Sequence, residues 1–352
     1  MTGSKKCRIA ILGASGYAGA ELVRLLARHP QVEIRLLGAA SEAGKELKEL
    51  YPALRGLALP RLAKLEPADL AGNVDLVFLG LPHTESQKMV PALLQAGLKV
   101  VDLSGDFRLR DAAQYAAFYK TEHREPAALA EAVYGLTEIH GAAVAKARLV
   151  ANPGCYTTCS ILPLYPLLKG GWIKADGLVI DAKSGVTGAG RKLMPSNTFA
   201  EVDANFSAYK VAGAHQHIPE IEQELSAAAG TGVTVTFTPH LLPLNRGILA
   251  TCYASPAKPA SEAELQACVA DFYRDKPFVR VLQGAELPTL RSVVGSNLLE
   301  VAVKLDARAK RVIVFSALDN LVKGAAGQAV QNMNLMQGWP ETDGLELIAQ
   351  PV

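Results

Sequence analysis

The sequence has no apolar stretch long enough to cross a membrane. Its first hydrophobic run, Cys7–Leu12, meets glycine after six residues. A spanning helix needs roughly 20, and the run is also too short for the core of an export signal. The cytoplasm is therefore the expected compartment. An excess of one charge is missing too: 36 Lys and Arg stand against 34 Asp and Glu, a net of +2. That balance gives no reason to expect a nucleic-acid or anionic-membrane partner. Cysteine is sparse, an odd and scattered set of five at Cys7, Cys155, Cys159, Cys252 and Cys268. No pair has CxxC spacing, so neither a zinc ribbon nor a dithiol redox motif is visible. A disulfide framework is not expected in a large protein of a reducing compartment. Internal repeats, low-complexity tracts and flexible linkers are absent as well.

What is present is an ordinary globular composition, 49% hydrophobic and 20% charged over 352 residues, a length that suits two domains. The first half alternates strand-like and helix-like segments. Apolar runs at residues 7–12, 32–37, 74–79, 99–103 and 148–151 read as strands, and residues 84–96 as a helix. Apolar strands alternating with helices imply a parallel sheet covered on both faces. After Pro153-Gly154 the pattern changes. Strand candidates at 178–183, 233–238, 248–254, 298–305 and 311–315 are separated by fewer helices, at 219–228 and 261–273. The expected architecture is α/β: a Rossmann-type parallel-sheet nucleotide-binding domain over 1–154, and an α+β catalytic and dimerisation domain over 155–319 with a mixed or antiparallel sheet. The last helix pattern, 324–336, is expected to return to the first domain as part of a segment at about 320–352.

Five stretches, and Arg108 besides, carry chemistry-bearing residues. Gly13-Ala14-Ser15-Gly16-Tyr17-Ala18-Gly19 lies between a strand and a helix. Glycines there let backbone approach a phosphate, and a helix N-terminus offers N–H donors and a favourable dipole. The spacing is GxxGxxG rather than GxGxxG, so a plain strand-to-helix turn is the competing reading. An NAD enzyme usually closes its second strand with an acid for the ribose hydroxyl. Here Gly38-Ala39-Ala40-Ser41 follows, with Lys45 beyond and Glu42 close by, which suits a 2′-phosphate and hence NADP(H). In Asn152-Pro153-Gly154-Cys155-Tyr156-Thr157-Thr158 a strand ends, the chain turns, and Cys155 opens an apolar helical run. A thiol at a helix N-terminus is favoured as thiolate, the form that attacks an acyl centre. Cys159, one turn on, reads as buried packing. Ser184–Lys192 joins three glycines to Arg191 and Lys192, an anion site, and Arg108 is a second candidate for a substrate phosphate or carboxylate. His215-Gln216-His217 precedes a helix with Glu220 in its first turn. An imidazole there is an acid/base partner for Cys155. The alternatives are a metal pair lacking a third ligand, or a helix-start histidine bonded to backbone.

Together the stretches GASGYAGAEL, LSGDFRL, ANPGCYTT, SGVTGAGRK, HQHIPEIEQEL and LDNLVKGAAGQAVQNMN, in order from residue 13 to residue 334, resemble the N-acetyl-gamma-glutamyl-phosphate reductase family of the aspartate-semialdehyde dehydrogenase-like superfamily. The resemblance implies reduction of N-acetyl-glutamyl 5-phosphate to N-acetylglutamate 5-semialdehyde and phosphate, with NADPH, in arginine biosynthesis. It implies a thioester on Cys155, acid/base work by His217, and a homo-oligomer, a dimer or tetramer. Arg108, Arg191, Lys192, His215 and Glu220 are then expected at the substrate. Gly13, Ser15, Gly16, Tyr17, Ala18, Gly19, Ser41, Lys45, Ser184, Gly185 and Asn320 are expected at the cofactor, and no metal is expected. Two positions depart from the family pattern: Gln216 stands where HRH is common, and Ala40 where an arginine often precedes the residue matching Ser41. Three alternatives remain open: a reductase of aspartyl or carrier-bound aminoadipyl phosphate, a non-catalytic NADP-binding protein, and a zinc hydrolase.

Overall fold

A computed structural model describes residues 6–350, the side chain of Ser196 aside; residues 1–5, the start of the expected first domain, and 351–352, the end of the segment expected to return to it, lie outside the described residues. The chain divides into two compact units. The first holds the described residues up to Pro153 together with Ala325–Glu346, and the second holds Gly154–Gly324 with the described residues from Leu347 on. No helix among the described residues is long and apolar enough to cross a membrane.

In the first unit the strands are short: β1 (Cys7–Leu12), β2 (Val32–Gly38), β3 (Leu62–Ala63), β4 (Leu76–Leu79), β5 (Lys99–Asp102), β6 (Val133–Tyr134) and β7 (Leu149–Ala151); all but β3 and β6 arise from the apolar runs, and β4 and β7 are buried throughout. All pair in parallel, in the order β3-β2-β1-β4-β5-β7-β6. The winding reverses between β1 and β4. In an open parallel sheet such a reversal leaves a crevice beyond the carboxyl ends of the flanking strands. Gly13 follows β1 at this point with φ +82°, and a Cβ on it would lie 2.1 Å from the carbonyl oxygen of Gly80, just past β4. The carbonyl at the end of β2, Gly38 O, accepts both Gly13 N (2.8 Å) and Ala14 N (3.0 Å). The glycine loop is thus pinned between three strand ends.

The helix Gly327–Met336 belongs to this unit and is unusually polar for a buried element. Its amide nitrogens replace the lost water with protein partners, as most buried polar groups do, while Gln328 Oε1 and Asn332 Oδ1 meet none. Gln328 Nε2 donates to Gly135 O and Thr137 Oγ1, Asn332 Nδ2 to Gly135 O and Asn152 Oδ1, and Asn334 Oδ1 lies 3.0 Å from His29 Nε2. The regular helix begins three residues later than the pattern at 324–336 suggests. Val322–Ala326 instead forms a wider π-type turn, in which Gly324 N donates to Asp319 O, five residues back, at 2.9 Å.

The second unit holds β8 (Leu178–Gly185), β9 (Ser207–Ala208), β10 (Val235–Leu242), β11 (Ile248–Ala254), β12 (Val279–Val281), β13 (Leu299–Asp306) and β14 (Arg311–Leu318). The order is β12-β13-β14-β11-β8-β10-β9. Pairs β8–β10 and β12–β13 are parallel and the others antiparallel, a mixed sheet. The helix Cys155–Lys169 is apolar nearly all round, and accordingly it is buried along almost its whole length. It packs on β11 and β14 and against the helices Ile218–Ala229 and Glu262–Phe272. Cys159 faces this core, its Sγ 3.2 Å from Ser316 Oγ.

The glycine loop makes a graded prediction. A Cβ at Gly19 would lie 2.2 Å from Gly13 O and 2.7 Å from Ala14 Cα, whereas at Gly16 the nearest atom, Gly13 O, is 3.3 Å away. Gly19→Ala should cost about 1–3 kcal/mol of stability by overpacking, and Gly16→Ala clearly less. Denaturant midpoints for the two variants, measured side by side, check the ranking.

Candidate active site

Cys155 opens its helix after Gly154, an extended N-cap residue (φ −71°, ψ 155°) that has no side chain to bond the first turn. The first intrahelical bond is Thr158 N to Gly154 O, 3.1 Å. Helix starts leave their first N–H groups without intrahelical acceptors, and Cys155, half-buried, is the first residue of this helix. Donors so placed suit an oxyanion forming beside the sulfur. The π-type turn approaches from another side: a Cβ on Gly324 would lie 2.7 Å from Cys155 Cβ. Only glycine lets that turn lie so close to Cys155. Read from sequence, Gly324 is merely the first residue of a helix; the signal that could have marked it is the small-residue run Gly324-Ala325-Ala326-Gly327.

The HQH segment lies beside the same helix start, because Tyr156 touches both imidazoles. Its ring centroid is 5.5 Å from that of His215 and 6.1 Å from that of His217. The two histidines differ in kind. His215 is 6% exposed, caged by Tyr156, Tyr209 and Phe237, and its Nδ1 accepts the His217 peptide N–H at 3.1 Å. Burial first, then the neighbouring His217, push its pKa down to about 2. His215 therefore stays neutral and braces the backbone of His217. His217 is half-buried and is the N-cap residue of the helix Ile218–Ala229.

Glu220 is 1% exposed. Its Oε1 accepts Gly154 N and Thr157 Oγ1, each at 2.8 Å, so this carboxylate is turned toward the Cys155 helix. Ser184 is buried at the end of β8 and donates to Gly185 O. A Cβ on Gly185 would lie 2.7 Å from Arg246 N. Asn320, 2% exposed, donates to Thr187 Oγ1 (3.0 Å) and accepts Gly247 N (2.7 Å). Asn320 thus knits together the loops around 187, 246 and 320. Arg246 itself, which the motif reading passed over, reaches Asp319 at 3.4 Å. Arg191 and Lys192 stand exposed on the stretch after the 187 loop.

In the first unit Arg108 is 7% exposed, and its guanidinium donates to Asn152 O and Leu103 O, both at 2.8 Å. It clamps the ends of β5 and β7. The Gly13–Gly19 loop fits a dinucleotide phosphate by two tests. Gly13 and Gly19 hold the turn so tight that a Cβ on either would collide with backbone, as a phosphate-binding strand-to-helix turn requires, and the helix Tyr17–Leu26 starts after Gly16 with no side chain capping it. Tyr51 OH, another residue the motifs do not reveal, holds Ser15 O at 2.8 Å. Past β2, Lys45 Nζ lies 2.7 Å from Glu42 Oε2, so the expected phosphate cation already holds an acid. Arg61 braces this loop by donating to Gly44 O. Among the described residues no three His, Cys, Asp or Glu side chains cluster as metal ligands would.

Residues 8–147 match the semialdehyde dehydrogenase NAD binding domain, and residues 155–320 the semialdehyde dehydrogenase dimerisation domain. The chain is 49% identical over 341 residues to a protein of Citrifermentans bemidjiense named N-acetyl-gamma-glutamyl-phosphate reductase, covering 97% of this chain and 98% of that one. It is 50% identical over 338 residues to a protein of the same name from Geobacter metallireducens, covering 96% and 97%. Among solved structures it resembles aspartate semialdehyde dehydrogenase II of Vibrio cholerae, with TM-score 0.72 at 18% identity over 95% of this chain and 99% of that one. It also resembles the NADP-containing aspartate semialdehyde dehydrogenase of Candida albicans, with TM-score 0.64 at 19% identity over the same shares. At those identities the likeness establishes the fold.

The burial of His215 predicts an acid-sensitive stability. An unfolded histidine takes a proton below about pH 6.5. The native ring resists until about 2. Between those values the unfolded state binds more protons, so stability falls as pH falls, by up to about 1.4 kcal/mol per unit. Going from pH 7 to 5, wild type should lose about 2 kcal/mol relative to His215→Asn. Urea unfolding of both proteins at the two pH values measures this; parallel losses would refute it.

Proposed function

The chain belongs to the N-acetyl-gamma-glutamyl-phosphate reductase family, and from that premise we propose that it reduces N-acetyl-L-glutamyl 5-phosphate with NADPH through a thioester on Cys155. As a member it is an oxidoreductase of arginine biosynthesis with a nicotinamide-binding domain. The observation that carries the mechanism is a thiol at an open helix start with the HQH segment beside it, joined through Tyr156.

Cys155 thiolate attacks the acyl carbonyl, the bond to the phosphoryl oxygen breaks, and inorganic phosphate leaves with the acyl group now on sulfur. Arg191 and Lys192 are the exposed cations suited to steering the anionic substrate. The reduced nicotinamide, held by the Gly13–Gly19 loop through its phosphates, supplies a hydride when bound. N–H groups of the Cys155 helix stabilise the oxyanion at the thioester carbon. Collapse breaks the C–S bond, frees the semialdehyde and returns the thiolate. His217 holds and exchanges the proton, because His215 stays neutral. A reducing compartment, the cytoplasm, suits a catalytic thiol. The dimerisation-domain match over residues 155–320 supports a homo-oligomer. The intact cysteine and the HQH segment favour an enzyme over a non-catalytic binder.

Cys155→Ser should abolish reduction while leaving the fold and NADPH binding intact, since a hydroxyl has a far higher pKa and forms an ester less willing to accept hydride. Cys159→Ser should stay active, and His217→Asn should lower turnover about 10²–10⁴-fold. Acyl phosphate given without NADPH should add the acyl mass to the peptide holding Cys155. Substantial turnover by Cys155→Ser, or the adduct on another residue, would overturn the mechanism.

The cofactor prediction turns on the loop after β2. With no acid at Gly38-Ala39-Ala40, NADPH is preferred. With Lys45 already holding Glu42, the preference is moderate. Lys45→Ala should narrow the ratio of kcat/KM for NADPH over NADH, and Glu42→Gln should widen it. Equal use of both cofactors by wild type counts against the assignment.

A further inference from the structure

We propose that Glu220 is a positioning residue for the nucleophile rather than a substrate ligand: one buried carboxylate oxygen ties the N-cap of the Cys155 helix to the first turn of the helix that follows His217. The proposal rests on the reading of Cys155 and His217 given above.

Glu220 stands third in its helix, after Ile218 and Pro219, with His217 as N-cap residue. In an ordinary capping box a glutamate at this position reaches back to the N-cap N–H of its own helix. Here it reaches across to another helix and accepts the N–H of Gly154, the N-cap residue of the Cys155 helix. The box is divided between two helices, one carrying the thiol and the other starting at the imidazole. Thr157 completes it. Its hydroxyl lies 2.8 Å from Glu220 Oε1 and 2.6 Å from Gly154 O; its single proton serves one acceptor at a time. The backbone on both sides of Gly154 is thereby fixed, and with it the direction of the Cys155 side chain.

Three features argue against a ligand role. The carboxylate is 1% exposed, its Oε1 is filled by groups of the Cys155 helix, and it lies where two positive helix ends converge and need a counter-charge. The same charge bears on the thiol, because a nearby carboxylate disfavours thiolate.

The test compares wild type, Glu220→Gln, Glu220→Ala and Thr157→Val. It reads kcat and KM for NADPH-dependent reduction, and the pH profile of iodoacetamide alkylation of Cys155 without substrate. Glu220→Ala should lower kcat about 10²-fold, the scale of a misplacement of about 1 Å, with KM changed less than about threefold. Glu220→Gln keeps an oxygen acceptor and should recover much of the loss, while its alkylation profile moves to lower pH. Thr157→Val, which removes only the hydroxyl, should lie between wild type and Glu220→Ala, and it decides the matter with Glu220→Gln should the alanine variant not fold. A rise in KM of about tenfold or more with kcat unchanged is the signature of a lost ligand contact and overturns the proposal. Identical alkylation profiles in all four proteins overturn it too. If wild type fails to reduce the acyl phosphate while the profile still shifts in Glu220→Gln, the substrate assignment fails and the positioning role stands.

Discussion

The peptide N–H of Gly154 needs an acceptor that its own helix does not supply. An N-cap residue gives its carbonyl to the helix, but its N–H points away, and Gly154 has no side chain to compensate. Burial makes an unmet donor there expensive. Glu220 meets the need from the helix Ile218–Ala229, and much of the second unit follows from that bond. It brings the start of one helix to the start of another, leaves His217 and Tyr156 as neighbours, and puts the cage around His215 within reach of both. The π-type turn brings Gly324 against the Cα and Cβ of Cys155.

A comparable economy operates in the first unit. One carbonyl, Gly38 O, receives two successive N–H groups from the glycine loop, so the end of β2 dictates the path of the chain leaving β1. Gly13 then takes a positive φ and closes on Gly80. The buried amides of the helix Gly327–Met336 show the same logic on a larger scale. A polar helix can sit in a core when its amide nitrogens find carbonyls or matching side chains, as those of Gln328 and Asn332 do, and such networks specify one packing more narrowly than apolar contacts do.

How much of this was legible in the sequence depended on range. The strand–glycine–helix turn at Gly13–Gly19 and the Pro-Gly-Cys turn at Cys155 are local, and the residues state their own geometry. The long strands were legible from apolar runs. The two-residue strands β3, β6 and β9 were not, since no periodicity fits in so short a piece. The partner of Glu220 lies 66 residues away, and Arg108 meets Asn152 across 44; nothing in spacing discloses either. The demand for glycine at 324 arises only when the turn meets Cys155. Lys45 is the opposite case. Its partner Glu42 is three residues away, a distance at which ion pairs form readily, so the engagement of that cation could have been anticipated.

The distribution of the sulfurs has a practical corollary. Cys155 and Cys268 are half-buried, whereas Cys7, Cys159 and Cys252 are buried. Burial pushes Cys7 up to about 11, Cys159 up to about 12, and Cys252 upward as well. To an alkylating reagent near neutral pH the native molecule presents at most two sulfurs, and the unfolded chain presents all five. The protein thus carries its own census of foldedness. The reagent equivalents a sample consumes before and after denaturant report what share of the material was properly assembled, with no label introduced and no assay of turnover required.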